Sequence, residues 1–348
     1  MLTSLLALVL ASRPPIIDAH AHLSWKAADR IEHIRRAAGV VAYLNLSGGN
    51  YSSTLDGVPA GVRLATALPG HILNAYTPDF DGLDEPWWGV REAMGLERSV
   101  REHGFVALKI SKALGLYLRD PAGALIDVDD PRFFPLWERA GELGVPVFIH
   151  VADPKAFWEP PTPQNERWDE LQAHPEWSFW GTDAPPRLEL LYALERVIEA
   201  HPQTTFVCVH FGNNAEDPGY VSGLLDRHPN TAIDLGARIP EVGRHPPEVV
   251  RALFERHASR ILFATDIGVS PYGLVLGSSG GETPTEQDAQ VFYERHFQYL
   301  ETADRGMTHP TPIQGPWTID AIALSEEVLE RVYYRNAAEL LRVTLSAR

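Results

Sequence analysis

The amino-acid sequence predicts an α/β fold, a (β/α)8 TIM barrel, and two observations support this prediction. Short runs rich in β-branched residues alternate with segments whose apolar residues recur at helical spacing. Such alternation implies parallel strands joined by right-handed crossovers. Strand–helix units follow one another along the 348 residues without interruption, which favours a closed barrel over an open sheet.

The strands are expected near residues 15–22, 40–46, 63–68, 105–111, 145–151, 204–210, 231–237 and 261–266. Helical patterns are expected over residues 26–38, 88–103, 131–143, 187–200, 247–258 and 326–342. Asp130-Pro131 and Pro185-Pro186 support two of the helix starts, because proline is favoured in a first turn. Gly144 can end the helix before it, since glycine readily adopts the left-handed conformation of a helix terminus.

Long loops are predicted after strands 5 and 8, over residues 151–183 and 267–325. Both would overhang the carboxyl end of the barrel, where barrel enzymes place their active sites. The loops that follow strands also hold many of the tryptophans, namely Trp25, Trp158, Trp168, Trp177, Trp180 and Trp317. These residues predict either a lid over an aromatic-walled pocket or loop cores packed on the barrel rim.

The chain divides into residues 1–14 and a single barrel domain over residues 15–348. Residues 2–11 form a short apolar run that ends in a possible cleavage site, but no Lys or Arg precedes it. The segment is therefore either an N-terminal extension or a signal peptide, and the protein is cytoplasmic or exported accordingly. A run of this length cannot span a bilayer.

Composition restricts the partners. The net charge of −16 and the lack of clustered Lys and Arg argue against nucleic acid, and no membrane insertion is expected. The single cysteine, Cys208, rules out an intrachain disulfide. A small-molecule substrate is the expected partner, and an anionic one is compatible with a metal in the site.

Histidines and an aspartate stand at the ends of the predicted strands. His20 and His22 share one face of the first strand, whereas His150, His210 and Asp266 end the fifth, sixth and eighth. Burying such groups without partners costs roughly 2–7 kcal/mol each. Because a bound cation satisfies all of them, the sequence predicts a centre for Zn²⁺ or a similar divalent ion.

These residues carry a family resemblance. The motif Asp18-Ala19-His20-Ala21-His22, with the later His150, His210 and Thr265-Asp266, resembles the amidohydrolase superfamily of metal-dependent barrels. Residues 104–109, 130–132, 144–150 and 335–337 are more narrowly similar to its "amidohydrolase 2" branch. That branch includes aminocarboxymuconate-semialdehyde decarboxylase and related hydrolases. The resemblance extends over residues 15–343 and implies the same fold, with a homodimer as a possible assembly.

The resemblance also implies roles for the site residues. His20, His22, His150 and Asp266 would bind one divalent metal, with Zn²⁺ expected and Mn²⁺ as the alternative. His210 and Asp266 would be the catalytic groups that move protons. A metal with an open position can lower the pKa of a bound water to about 7, which gives a metal-activated nucleophile.

Lys109 leaves an alternative open. Its strand parity points it into the barrel at the end of the fourth strand. In binuclear members of the superfamily a carboxylated lysine at this place bridges two metals, whereas in the resembled branch it generally does not. We therefore expect one metal and a substrate-binding Lys109. The alternative is a second metal bridged by carboxylated Lys109, with His150 and His210 as its ligands.

Three further residues are candidates for substrate binding. The planar guanidinium of Arg238 suits a carboxylate, although a loop salt bridge would explain it as well. Asn213 would orient a ligand or build a turn, and Trp25 would form a wall of the pocket.

The main hypothesis is a metal-dependent hydrolase of a small, carboxylated ester, lactone or amide. The alternatives are a metal-dependent non-oxidative decarboxylase and a non-catalytic ligand-binding barrel.

Overall fold

The computed structural model describes residues 13–52, 57–280 and 282–344. In this part of the chain, parallel strands follow one another in sequence order around the sheet. They are β1 (Ile16–Leu23), β2 (Val40–Asn45), β3 (Ile72–Tyr76), β4 (Ala107–Ile110), β5 (Val147–Ile149), β6 (Phe206–Cys208), β7 (Thr231–Asp234) and β8 (Ile261–Leu262). The sheet closes where Ala19 N donates to Phe263 O and Asp266 N to His20 O, both at 2.9 Å. The predicted barrel is therefore confirmed.

Helices follow the strands as expected for this fold. Those after β1 to β7 span Ala28–Ala38, Ala60–Ala67, Trp88–His103, Phe134–Leu143, Arg187–Ala200, Pro218–Arg227 and Pro247–Arg256. The last helical segment consists of the α-helix Glu326–Glu330, a π-helical turn at Arg331–Arg335 and the α-helix Asn336–Leu340. Gly144 ends its helix at φ 65°, as the sequence predicts. No helix among the described residues is long and apolar enough to cross a membrane.

The barrel interior is filled by apolar side chains. Each strand contributes to one buried cluster that includes Ile17, Leu44, Phe148, Val207 and Leu262. A larger cluster packs the strands against the helices. Because the interior is filled, the polar strand ends described below lie on a packed floor and not in a channel.

One predicted strand is wrong. Residues 63–68 belong mainly to the helix Ala60–Ala67, and β3 lies later in the chain. The β-branched Val62 and Thr66 favour a strand, but the buried positions are Gly61, Leu64 and Leu68. That spacing is helical and does not alternate, so burial overrides β-propensity here.

The loop predicted after the eighth strand contains regular structure. Strand β9 (Ile267–Ser270) pairs in parallel with β1, and β10 (Gly273–Leu276) pairs antiparallel with β9. A helix of 16 residues, Glu286–Glu301, follows and begins with a capping box formed by Thr285 and Asp288. This capping pattern is the sequence feature from which the start of the helix could have been predicted.

The loop after β5 is mostly irregular, with a short helix at Trp168–Ala173 and single turns at Lys155–Trp158 and Pro175–Trp177.

Near the N-terminus, Arg13 donates to Glu301 at 2.5 Å, and its guanidinium lies over the Phe297 ring. Of the extension or signal peptide predicted over residues 1–14, residues 1–12 lie outside the described residues.

Candidate metal centre

Three predicted ligands meet at the carboxyl end of the barrel. Oδ1 of Asp266 lies 3.3 Å from His20 Nε2 and 3.4 Å from His22 Nε2. One ligand atom from each residue lies within 4.8 Å of the others. Asp266 follows β8 with a φ of 62°, a conformation that few non-glycine residues adopt. The backbone thus holds this carboxylate beside two imidazoles.

The hydrogen bonds of His20 test whether these residues fit a cation. Its Nδ1 donates to Asp234 Oδ2 at 2.8 Å, so in the neutral imidazole Nε2 is the nitrogen with the lone pair. That Nε2 is buried and has no hydrogen-bond partner among the described residues, although it faces the Asp266 carboxylate. A neutral His20 therefore turns a lone pair toward the Asp266 carboxylate, and a cation between the two groups would satisfy both. A divalent metal fits this arrangement.

The electrostatic setting also suits metal binding. Burial lowers the pKa of His22, and it lowers the pKa of His150 to about 4, so both imidazoles are neutral near pH 7. Although burial alone raises the pKa of Asp266, the adjacent His20 and His22 and the Lys109 ammonium lower it overall. Neutral imidazoles and an ionised carboxylate are the forms that coordinate metals.

His150 lies beside this group but faces another way. Its ring centroid is 4.2 Å from that of His210, which is itself 4.9 Å from that of His20. Its Nε2 lies 3.2 Å from Ala152 O and 3.3 Å from Asp153 Oδ1. The predicted ligands are therefore brought into one place, with three in a compact group and His150 turned to the loop after β5.

His210 is held in a defined tautomer. It follows β6 in the left-handed region at φ 55° and ψ 51°. Its Nδ1 donates to Gly236 O at 2.8 Å, so its Nε2 is the unprotonated nitrogen. Burial lowers the pKa of His210 well below the usual value, and the neighbouring His150 and Arg238 side chains act in the same direction. At rest this side chain is therefore a proton acceptor.

Asp234 is a residue of the site that the sequence analysis missed. It is fully buried at the end of β7 and accepts from His20 Nδ1, His210 N and Gly236 N. It also forms a second compact donor group with His20 and His210. The available signal was its place at a strand end, which is where the predicted ligands also lie.

A cavity of about 320 Å³ opens above the candidate metal centre. Its charged lining residues are three cations and three carboxylates: Lys109, Lys112, Arg238, Asp153, Glu170 and Asp266. A divalent cation would make this balanced lining positive overall. The cavity is therefore suited to a small anion once a metal is bound.

Two predicted substrate-binding residues line this cavity. Lys109 is buried at the end of β4, and its Nζ has no hydrogen-bond partner among the described residues. Burial lowers the pKa of Lys109 to about 8, although the Asp234 and Asp266 carboxylates oppose that shift. Arg238 is buried and donates to Ala237 O at 3.1 Å. Both cations therefore border the cavity.

The other two predicted substrate-binding residues are not brought to the cavity. Asn213 Oδ1 accepts from Val151 N at 2.9 Å, so this amide supports the loop after β5. Trp25 is 41% exposed and lines a surface groove with Ser270 and Pro271. Trp25 begins a single helical turn after β1, beside the added hairpin, where Ser24 N donates to Val269 O.

The loops cover the cavity through polar links. Trp177 lines the cavity, and the His174 ring stacks on the Trp177 ring with 3.8 Å between their centroids. His174 Nε2 lies 2.9 Å from Ser279 O. Glu170, which also lines the cavity, accepts from Ser278 and from Arg167. Other tryptophans pack loop cores: Trp158 donates to Pro185 O and Trp317 to Pro240 O. Trp177 therefore forms part of the cavity wall, whereas Trp158 and Trp317 pack loop cores.

Solved structures similar to this one share its fold. A 2,6-dihydroxybenzoate decarboxylase complexed with 2,6-dihydroxybenzoate is 15% identical, with a TM-score of 0.54 over 95% of this chain and 100% of that one. An uncharacterised TIM-barrel protein from Bordetella bronchiseptica is 15% identical, with a TM-score of 0.55 over 94% and 98%.

A dihydroxybenzoic acid decarboxylase from Polaromonas sp. JS666, with bound manganese and the inhibitor 2-nitroresorcinol, is 12% identical. Its TM-score is 0.55 over 94% of this chain and 97% of that one. No curated protein matches the sequence. The family model Amidohydro_2, described as amidohydrolase, matches residues 17–343, and the chain therefore belongs to the amidohydrolase family.

Proposed function

We propose that this protein is a metal-dependent, non-oxidative decarboxylase of a small hydroxy-substituted carboxylic acid. The observation that supports this most is the donor group of His20, His22 and Asp266 beside the acceptor nitrogen of His210. The proposal ranks decarboxylation ahead of hydrolysis, the reverse of the order favoured by the sequence. Two of the similar folds described above are decarboxylases of dihydroxybenzoates, which adds support.

The substrate class follows from the charges and size of the cavity. A volume of about 320 Å³ fits a molecule of one ring or a short chain. Lys109 and Arg238 are cations at its wall, and a metal would add further positive charge. An anionic carboxylate is the group that these charges attract.

The residues that would hold the metal are His20, His22 and Asp266, with His150 as the fourth ligand that the resemblance implies. When bound, a divalent cation would supply a Lewis acid that polarises a substrate oxygen. Zn²⁺ and Mn²⁺ both accept such nitrogen and oxygen ligands, so the donor set does not choose between them.

His210 would handle the proton. Because Gly236 O fixes the proton on Nδ1, Nε2 is free to accept the proton of a substrate hydroxyl. The bond to the carboxylate carbon then breaks, CO₂ leaves, and the electron pair stays on the substrate carbon. His210 returns the proton to that carbon, and a solvent proton restores the substrate hydroxyl. In sum, the substrate anion and one solvent proton become the neutral product and CO₂.

Hydrolysis is the second candidate, and the exposure of Asp266 favours it. The side chain of Asp266 is 20% exposed and borders the cavity, so water can reach it. Asp266 would accept a proton from that water as it attacks an ester, lactone or amide, and His210 would then stabilise the leaving group.

The test is a pair of substrate panels for protein loaded with Zn²⁺ or Mn²⁺. One panel holds small hydroxybenzoates and other hydroxy acids, with CO₂ release as the readout. The other holds esters, lactones and amides of similar size. CO₂ release that falls at least about 100-fold in His210→Asn supports the proposal. Turnover of the second panel alone supports hydrolysis, and no turnover of either supports a ligand-binding barrel.

A further inference from the structure

We propose that Asp234 is a positioning residue that sets the tautomer of His20 and the backbone of His210 at once, and that it is not itself a metal ligand. The part that concerns His210 rests on the proposed function, whereas the part that concerns His20 does not. Asp234 is not among the residues that the family resemblance assigned to the site.

The hydrogen bonds of Asp234 account for both of its oxygens. Oδ2 accepts from His20 Nδ1 at 2.8 Å, and Oδ1 accepts from His210 N at 2.8 Å and Gly236 N at 3.0 Å. The side chain is fully buried. A buried carboxylate with three N–H donors is satisfied without a cation, whereas His20 Nε2 is not.

The bond to His20 decides which nitrogen can coordinate. A proton on Nδ1, facing Asp234, leaves the lone pair of Nε2 directed at Asp266 and away from Asp234. A metal placed among His20, His210 and Asp234 would have to displace this proton and break the hydrogen bond. The geometry therefore favours the donor group with His22 and Asp266 over the one with Asp234.

The bond to His210 stabilises an unusual backbone. His210 and Phe211 have φ values of 55° and 54°, a left-handed conformation that few non-glycine residues adopt. Asp234 Oδ1 accepts the N–H of His210 and thereby holds the turn. Gly236 completes the arrangement, because its carbonyl accepts from His210 Nδ1 and a Cβ there would lie 3.0 Å from His20 Nδ1.

The first test is the affinity of Asp234→Asn for Mn²⁺, measured by competition with a chelator. In this variant the amide oxygen of residue 234 accepts from the N–H groups of His210 and Gly236, and the amide NH₂ faces His20 Nδ1. Because Nδ1 must then accept, the imidazole proton moves to Nε2. We expect the affinity to fall about 10- to 100-fold, with unchanged stoichiometry at saturation. Glu92→Gln is the control, because Glu92 is also buried and accepts from Tyr76 OH at 2.7 Å.

The proposal would be overturned if the folded Asp234→Asn variant bound Mn²⁺ with wild-type affinity. It would also be overturned if the variant bound no Mn²⁺ at saturating concentration, because Asp234 would then be a metal ligand. Should the variant not fold, nitrogen NMR of the metal-free wild type decides, with His20 assigned by His20→Gln. The Nδ1–H tautomer is expected, and the Nε2–H tautomer would overturn the proposal. Neither readout needs turnover, so failure of the decarboxylase proposal is seen separately.

Discussion

The Nε2 atom of His20 lies 3.3 Å from Oδ1 of Asp266. The imidazole belongs to β1 and the carboxylate follows β8, so the closure of the barrel brings the two together. Asp266 N also donates to His20 O at 2.9 Å, which fixes the register between the two chain segments. The contact therefore belongs to the barrel seam itself, and a metal bound there would join the first strand to the last.

Metal binding should stabilise the fold. An ion that binds only the native state at 100 times its Kd adds about 2.7 kcal/mol to the free energy of unfolding. We expect a gain of this order for the wild type in Mn²⁺ or Zn²⁺ and a much smaller one for Asp266→Asn. Denaturant titration with and without the ion measures both. Asp183→Asn is the control, since that exposed carboxylate pairs with Arg119 away from the centre.

Replacement of Lys109 separates its two expected roles. If Lys109 binds the substrate carboxylate, Lys109→Met should raise KM by about 10-fold or more and leave the metal content unchanged. If carboxylated Lys109 bridges two ions, the variant should lose half or all of the bound metal. Steady-state kinetics and elemental analysis on the same preparation distinguish the two results.

A buried ionic cluster should stabilise the loops over the cavity. Arg167 is fully buried and pairs with Glu170 at 2.8 Å and also with Glu241, in segments that follow β5 and β7. Arg167→Met leaves two buried carboxylates without their cation and should cost about 3–5 kcal/mol. Urea unfolding measures this loss.

Arg244→Met is the matched control for that experiment, because Arg244 pairs with Glu166 at the surface. Its cost should not exceed about 1 kcal/mol. Equal losses in the two variants would show that the buried cluster contributes no more than a surface pair. Replacement of all three buried charges by Met and Gln should recover much of the stability, since no buried charge is then left unpaired.

The barrel and the grouping of the candidate ligands could be predicted from the sequence, because the strand ends carry chemically distinctive residues. His20, His22 and Asp266 needed only correct strands to be placed together. Lys109 was placed by strand parity, which the structure confirms by burying it at the cavity. The residues that could be predicted are thus those whose residue type and strand position together indicate a chemical role.

The missing parts depend on contacts between segments that are distant in sequence. Asp234 looks like an ordinary strand end until His20 and His210 are seen to donate to it. Trp25 was expected in the pocket, but the hairpin of β9 and β10 pairs beside β1 and separates it from the cavity. Neither relationship has a local pattern that propensity or periodicity could report.

Stability should depend on pH through His296, which does not line the cavity at the candidate metal centre. Burial among Phe263 and Phe292 lowers the pKa of His296 to about 4. The unfolded chain, with a pKa of about 6.5, binds the proton more tightly, so stability falls as pH drops from about 6.5 to 4. This one group accounts for a loss of up to about 3 kcal/mol.

His296→Phe should remove that part of the pH dependence. The variant gives up the bond from Nδ1 to Phe292 O, so its stability near pH 7 will be somewhat lower than that of the wild type. The difference between the two proteins should then shrink as the pH falls toward 4. Denaturant titrations at several pH values measure it, and a constant difference would contradict the assignment.

The most direct test of the metal centre is elemental analysis of protein purified without added metal and again after reconstitution with Zn²⁺ or Mn²⁺. We predict about one divalent ion per chain in the wild type and none in His20→Ala, with Asp183→Asn retaining the wild-type content. His150→Ala shows in the same experiment whether the fourth expected ligand is needed. A wild-type protein that binds no divalent ion after reconstitution would contradict the central claim.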